Sequence, residues 1–268
     1  MTIGFIGCGN MAQPIIRSLI EKGLYAKNNV YVYDTDTEKM NTFCEANGTN
    51  ATQNEDEIIR SCETVFLCIK PQGFVDLFAK TKTAFIDCNP FVVSIAAGKE
   101  IAFIENHLSP ALRIGRVFPN LNASVCQSAS AYCINTACTQ TEKELLGNIV
   151  SCFGSALFYP ETLFSQFGVL GGCSPAYTFM YIDSLAKAAE KNGVSKEVAR
   201  STAIQSVLGS ALYMQQSGID PEILINRVCS KGGTTIEGVT SLRNADLQSI
   251  VCTAYEASLR RDKELSQN

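Results

Sequence analysis

The chain has 268 residues, 46% of them hydrophobic and 18% charged, with a formal net charge of −4. That length and balance describe one large or two ordinary globular domains, not a disordered chain. The acidic balance, without clustered Lys and Arg, argues against nucleic acid as a partner, and no run approaches the roughly 18 apolar residues of a membrane span.

Residues 1–7 lack the basic flank and long apolar stretch of a signal peptide, so a cytoplasmic protein with no membrane partner is expected. Residues 2–6 read as an apolar strand, 10–21 as a helix, 30–33 as a strand, 37–47 as a helix and 64–69 as a wholly apolar strand. Further strands are expected at 91–96, 113–117, 129–134 and 156–159, with helices between most of them. Continuous apolar strands separated by helices are what a largely parallel sheet covered on both faces requires.

After Tyr159-Pro160 the strand-like alternation stops. Helices are expected at 175–192, 196–217, 221–228 and from 244 almost to the end, which places a boundary near 160–164 and divides 1–162 from 163–268. Segments 176–189 and 203–214 are apolar around most of their circumference, more than a small bundle can hide, so this half is expected to self-associate.

Twelve cysteines are scattered through apolar runs with no Cys-x-x-Cys pair, the pattern of reduced core residues. His107 is the single histidine, beside Pro110 at an expected helix end. A Ser-His or Cys-His mechanism or a two-histidine metal site would rest on it alone, so no metal is expected and the chemistry is expected from a bound cofactor.

Gly4-Phe5-Ile6-Gly7-Cys8-Gly9-Asn10-Met11-Ala12 follows the first strand and opens the first helix, matching Gly-x-Gly-x-x-Ala. Gly7 permits the tight turn, Gly9 lets a pyrophosphate approach the backbone, and Ala12 keeps helix close to strand, with the N–H groups of Asn10 and Met11 near the phosphates. Asp34 closes the second strand, where a carboxylate accepts from an adenosine ribose and repels a 2′-phosphate, a lean toward NADH; the alternative is that it begins the turn that follows. Lys70, in Cys68-Ile69-Lys70-Pro71-Gln72, stands at the carboxyl edge of the sheet, either touching a phosphate or solvated. Ser94-Ile95-Ala96-Ala97-Gly98 ends another strand with small residues, which suits a flat ring against the backbone or close packing of strand on helix.

Ser230-Lys231-Gly232-Gly233-Thr234-Thr235-Ile236-Glu237-Gly238 has the makings of an anion site. Two glycines free the backbone, and Thr234 or Thr235 can cap the helix that follows. The same string would also serve as a plain turn between packed helices.

Taken in order, Gly4–Ala12, Lys70-Pro71-Gln72, Ser94–Gly98, Arg116-Val117-Phe118-Pro119-Asn120, Pro175-Ala176-Tyr177 and Gly232–Gly238 resemble the pyrroline-5-carboxylate reductases across nearly the whole chain. The resemblance implies an α/β Rossmann N-terminal domain with an all-α C-terminal dimerisation domain, NAD(P)H as cofactor, and homodimers that in this family often build larger rings. It implies reduction of Δ1-pyrroline-5-carboxylate to L-proline, with Thr235 as the catalytic partner of the ring nitrogen and Ser230, Gly232, Gly233 and Thr234 at the substrate carboxylate. Against the cofactor it places Ile6, Gly7, Cys8, Gly9, Asn10 and Met11, then Asp34 and Asn54, then Cys68, Ile69, Lys70 and Pro71, then Ile95, Ala96 and Ala97.

The chain departs from the family pattern at Gly171-Gly172-Cys173-Ser174, at Lys231 for a proline, at Phe118 for a methionine, and at Leu121-Asn122 for Thr-Pro. A β-hydroxyacid dehydrogenase would need a catalytic lysine in the helical half, and neither Lys187 nor Lys191 has a glycine- and asparagine-rich setting. A cofactor-binding regulator without turnover would have no use for the 232–235 string.

Overall fold

The computed structural model describes residues 1–266, with side chains as far as residue 264. Met1–Gly172 with residues 261–266 packs as one unit, and Cys173–Arg260 as a second. The first unit opens with β1 (Ile3–Ile6), α1 (Ala12–Glu21), β2 (Val30–Tyr33), α2 (Thr37–Asn47) and β3 (Asn50–Ala51). It continues with α3 (Glu55–Ser61), β4 (Thr64–Leu67), α4 (Phe74–Cys88), β5 (Phe91–Ser94) and α5 (Ile101–His107). The chain then forms β6 (Ile114–Phe118), β7 (Ser128–Ile134), α6 (Gln140–Ser151), β8 (Gly154–Phe158) and α7 (Phe164–Gly168).

The strands make one sheet in the order β3-β2-β1-β4-β5-β6-β7-β8. From β3 to β6 all neighbours are parallel, as the apolar strands predict, and this part has the Rossmann order. β7 runs antiparallel to β6, with Val117 opposite Tyr132. Residues 119–127 hold only a 3-10 turn, Leu121–Val125, too little chain for a crossover helix, so the strand turns back. α6 then carries the chain across the sheet, and β8 returns parallel to β7.

Alternate residues of the central strands enter opposite cores. Ile3, Phe5, Phe66, Phe91 and Val93 point to one side. Ile6, Val65, Leu67 and Val92 point to the other. Phe5 and Phe66, on adjacent strands, stack with centroids 5.1 Å apart. Because the chain passes from β3 at one edge back to β4 beside β1, the carboxyl ends of β1 and β4 flank a topological switch point, where ligands of such sheets bind.

α6 begins with a capping box: Thr139 and Glu142 exchange side-chain and backbone bonds, and Arg113 Nη1 lies 2.8 Å from Glu142 Oε1. The Thr139 hydroxyl above all, with the Thr139 N–H and Arg113, outweighs burial and holds the Glu142 carboxyl down at about 2, from an ordinary 4.5. A carboxyl depressed in the folded state stabilises above its unfolded value and loses that contribution as pH falls from 4.5 toward 2. Glu142→Gln should therefore cost about 1–3 kcal/mol at pH 7. Urea unfolding of both proteins at neutral pH and near pH 2 checks this, with the gap expected to close on acidification.

The second unit is helical, with α8 (Ser174–Lys191), α9 (Lys196–Ser217), α10 (Pro221–Val228), α11 (Thr234–Asn244) and α12 (Leu247–Ser266). Its buried apolar cluster is small, Ala186, Ala199 and Ala203 with Ile182 and Ala189 against them. Phe179, Met180, Leu208, Leu212, Val228 and Ile250 stand exposed, Met180 at 70%. The Tyr177 hydroxyl meets Ser258 Oγ at 2.6 Å, joining α8 to α12. All twelve cysteines are free. Among the described residues no helix is long and apolar enough to cross a membrane.

Candidate active site

The turn after β1 needs its glycine at position 7. Gly7 has φ +106°, and a Cβ there would lie 2.7 Å from the Cys68 carbonyl oxygen, so the loops after β1 and β4 meet backbone to backbone. Nothing approaches a Cβ built on Gly9, which leaves open space above the turn. The first turn of α1 has neither a side-chain cap nor an acidic residue, so its positive dipole end favours an anion, although the Gln13 N–H is taken by the Gly9 carbonyl at 3.1 Å and Pro14 has none.

Asp34 closes β2 and reaches back to this turn. Its Oδ2 accepts from the Cys8 N–H at 2.6 Å, its Oδ1 accepts from the Asp36 N–H at 2.9 Å, and Lys39 Nζ lies 3.4 Å from Oδ2. Burial pushes its pKa up, but the two N–H donors and Lys39 prevail, and the carboxyl sits below its ordinary value. It is therefore an anion at neutral pH that also fixes the glycine turn.

Two clefts share Gly9, Cys68, Ile69 and Lys70 as a common wall. One, of about 480 Å³, runs past Ile6, Gly7, Asp34 and Thr35. The other, of about 490 Å³, takes in Asn10, Met11, Pro71, Ile95, Ala96 and Ala97. Most of the expected cofactor residues thus meet at the switch point. Two do not line it: the Cys8 side chain is wholly buried, and Asn54 uses its Oδ1 to cap α3 through the Glu57 N–H at 2.9 Å. The string Asn54-Glu55-Asp56-Glu57, an Asx residue before an acidic first turn, carries that capping signal. Its neighbour Glu55 faces the cleft instead, with Tyr33, Asp76 and Lys80. Sequence reasoning passed over these; Asp76 and Lys80, four apart at the start of a helix after a buried strand, were the available sign. Phe118 and Pro119 also line the second cleft.

In the second unit, Gly232 has φ +71°, and the Gly233 N–H donates to the Ser230 carbonyl at 3.0 Å. A Cβ on Gly233 would fall 2.3 Å from Ser230 Oγ, so only glycine lets that hydroxyl fold over the turn. The helix cap is Gly233, with no side-chain bond; Thr234 and Thr235 are the first residues of α11 and do not cap it. A cap must lie outside the helical backbone, and both threonines are already inside it. The Gly233 amide frames the turn, and the exposed first turn of α11 offers the N–H of Thr234 and the hydroxyl of Thr235.

The remaining nucleophiles are subdued. Burial, then Cys44 and Asp34, pushes the Cys8 thiol up to about 11, and burial raises Cys68 further still, so both stay protonated at neutral pH. His107 ends α5, half-buried, bonded through Nδ1 to the Phe103 carbonyl at 2.8 Å and lying 4.3 Å from the Phe103 ring.

The open approach above Gly9, the uncapped α1 and the paired clefts fit a dinucleotide, whose phosphates would lie over the turn. Residues 2–98 match the family described as NADP oxidoreductase, coenzyme F420-dependent, and residues 161–265 match pyrroline-5-carboxylate reductase dimerisation. The chain is 32% identical to the pyrroline-5-carboxylate reductase of Escherichia coli (strain K12), over 99% of this chain and 98% of that protein. It is similar to the solved structure of a pyrroline-5-carboxylate reductase from Coxiella burnetii, with a TM-score of 0.94 at 31% identity, covering 100% of this chain and 99% of that one. The Plasmodium falciparum pyrroline carboxylate reductase solved with NADP bound gives a TM-score of 0.88 at 25% identity, covering 99% and 98%. The shared sheet, the glycine turn at its switch point and full-length identity above 30% place this chain in the pyrroline-5-carboxylate reductase family.

Proposed function

We propose that residues 1–162 hold the reduced dinucleotide, that residues 163–268 hold the substrate, and that Thr235 is the catalytic residue. The overall activity follows from family membership: the chain is an NAD(P)H-dependent oxidoreductase that reduces Δ1-pyrroline-5-carboxylate to L-proline, the last step of proline biosynthesis. When bound, the reduced nicotinamide supplies a hydride. The imine carbon gains that hydride and the ring nitrogen carries a proton taken from solvent before or during transfer, so C=N becomes C–N with no charged leaving group to stabilise. What the protein must supply is position, a carboxylate grip and a hydrogen-bond partner for nitrogen.

The exposed, uncapped start of α11 carries this reading. Ser230 and the first-turn amide of Thr234 grip the substrate carboxylate, Gly232 and Gly233 shape the turn, and the Thr235 hydroxyl meets the nitrogen as donor or acceptor. The dinucleotide already has its own phosphate turn at 7–11, so this second anion site serves the substrate. Asp34 would hold the adenosine end of the cofactor, and Ile95, Ala96 and Ala97 the nicotinamide end.

The Asp34 carboxylate favours NADH, since it repels a 2′-phosphate. Lys39, 3.4 Å away, moderates that repulsion. Parallel assays with both cofactors should give NADH an advantage of about tenfold in kcat/KM. Asp34→Ser should narrow the gap and Lys39→Ala widen it, and a wide NADPH preference in the unmodified enzyme would exclude this role for Asp34. The exposed apolar helices of the second unit form a homodimer in the cytoplasm, with a larger ring of dimers as its further assembly. Light scattering on eluted protein distinguishes dimer from ring.

A further inference from the structure

Three features of the first unit bear on the wall of the nicotinamide cleft. Asn120 is buried, and each of its polar groups is used: its N–H donates to Ser128 Oγ at 3.0 Å, its Oδ1 accepts from the Asn122 N–H at 3.0 Å, and its Nδ2 donates to the Gly171 carbonyl at 2.8 Å. Gly171 belongs to a π-turn, Val169–Cys173, and such turns interrupt helices at a cost that local bonding must offset. In an unbroken α-helix the Gly171 carbonyl would accept from the N–H four residues on; that residue is Pro175, which has none.

Gly168, which ends α7, and Gly172, inside the turn, together receive an aromatic ring. A Cβ on Gly168 would lie 2.6 Å from Phe118 Cζ, and one on Gly172 would lie 3.3 Å from Phe118 Cε1. Phe118 in turn lines the cleft beside Ile95, Ala96 and Ala97. The departures from the family pattern at 118 and at 171–174 are therefore in contact: a ring stands where methionine is usual, and the notch that receives it has no side chains.

We infer that Asn120 is a positioning residue, whose carboxamide replaces the N–H that Pro175 lacks and holds the 169–173 turn against α7, so that the notch between Gly168 and Gly172 seats Phe118 in the cleft wall. The inference rests on the assignment of that cleft to the nicotinamide. Asn120 touches neither substrate nor cofactor; it acts through Gly171 and Phe118.

The test compares Asn120→Ala, Pro175→Ala and the double variant, using amide hydrogen exchange without ligand and steady-state kinetics. Asn120→Ala should lose protection across 168–176 and lower kcat about 10- to 100-fold, the effect of a misplaced reacting geometry, with dinucleotide affinity retained. The double variant regains an N–H at 175 and should recover both protection and kcat. Unchanged protection in Asn120→Ala, or a double variant no better than the single, would overturn the inference. If Asn120→Ala does not fold, Asn120→Ser carries the same outcomes. Exchange decides the Asn120 role even if the imine is not turned over, a result that would count against the assigned reaction alone.

Discussion

Thr235→Ala should lower kcat for imine reduction by about 100-fold, the loss expected when a hydrogen bond to charge developing in the transition state is removed. Dinucleotide affinity, read by titration without substrate, should stay nearly intact, because the glycine turn proposed for its phosphates, at Gly7 and Gly9, belongs to the other unit. The split follows from chemistry. A hydroxyl that meets the nitrogen as negative charge gathers there interacts more strongly in the transition state than in the ground state, and so acts on kcat. Thr235→Ser keeps the hydroxyl and should keep most of the rate. Unchanged turnover in Thr235→Ala would remove this residue from the mechanism.

Glu161→Ala should lower stability by about 3 kcal/mol or more, the usual cost of breaking one side of a buried pair. Arg116, on β6, has a side chain only 5% exposed, with Nη1 2.8 Å from Glu161 Oε1 and its Cζ 5.0 Å from the centre of the Phe164 ring. The same carboxylate oxygen accepts from the Ile101 N–H at 2.9 Å, at the start of α5. Removing it strands a buried charge and a helix donor together. Replacing both partners, Arg116→Met with Glu161→Leu, should cost less than Glu161→Ala alone. The exposed pair Arg243–Glu222 is as short, at 2.7 Å, yet its loss should cost under about 1 kcal/mol because solvent screens it. Urea unfolding of the three variants checks the order.

Much of the first unit was legible because its strands are buried on both faces and therefore uniformly apolar, as at Val65-Phe66-Leu67. The reversal at β7 was not, since hydropathy does not encode strand direction; only the shortness of 119–127 hinted at it. β3, Asn50–Ala51, is too short and polar to carry a pattern. The glycine turn was readable from residue types, whereas the bond from Asp34 back to the Cys8 N–H joins residues far apart in sequence and exists only once β1 and β2 are paired. At Asn54 a local rule is visible beside the resemblance: its carboxamide oxygen caps α3 through the Glu57 N–H. The link from Asn120 to Gly171 left no local trace at all, although both ends lie in strings that sequence reading singled out.

The proposed function divides the labour between a phosphate turn for the dinucleotide and a carboxylate grip, ending in Thr235, for the imine. The most direct test follows NADH consumption and L-proline formation together, with Δ1-pyrroline-5-carboxylate and with the same cyclic imine lacking its carboxylate. One proline per NADH with the first, and a much lower kcat/KM with the second, is the predicted result. No coupled proline formation, or equal kcat/KM for the two imines, would contradict it.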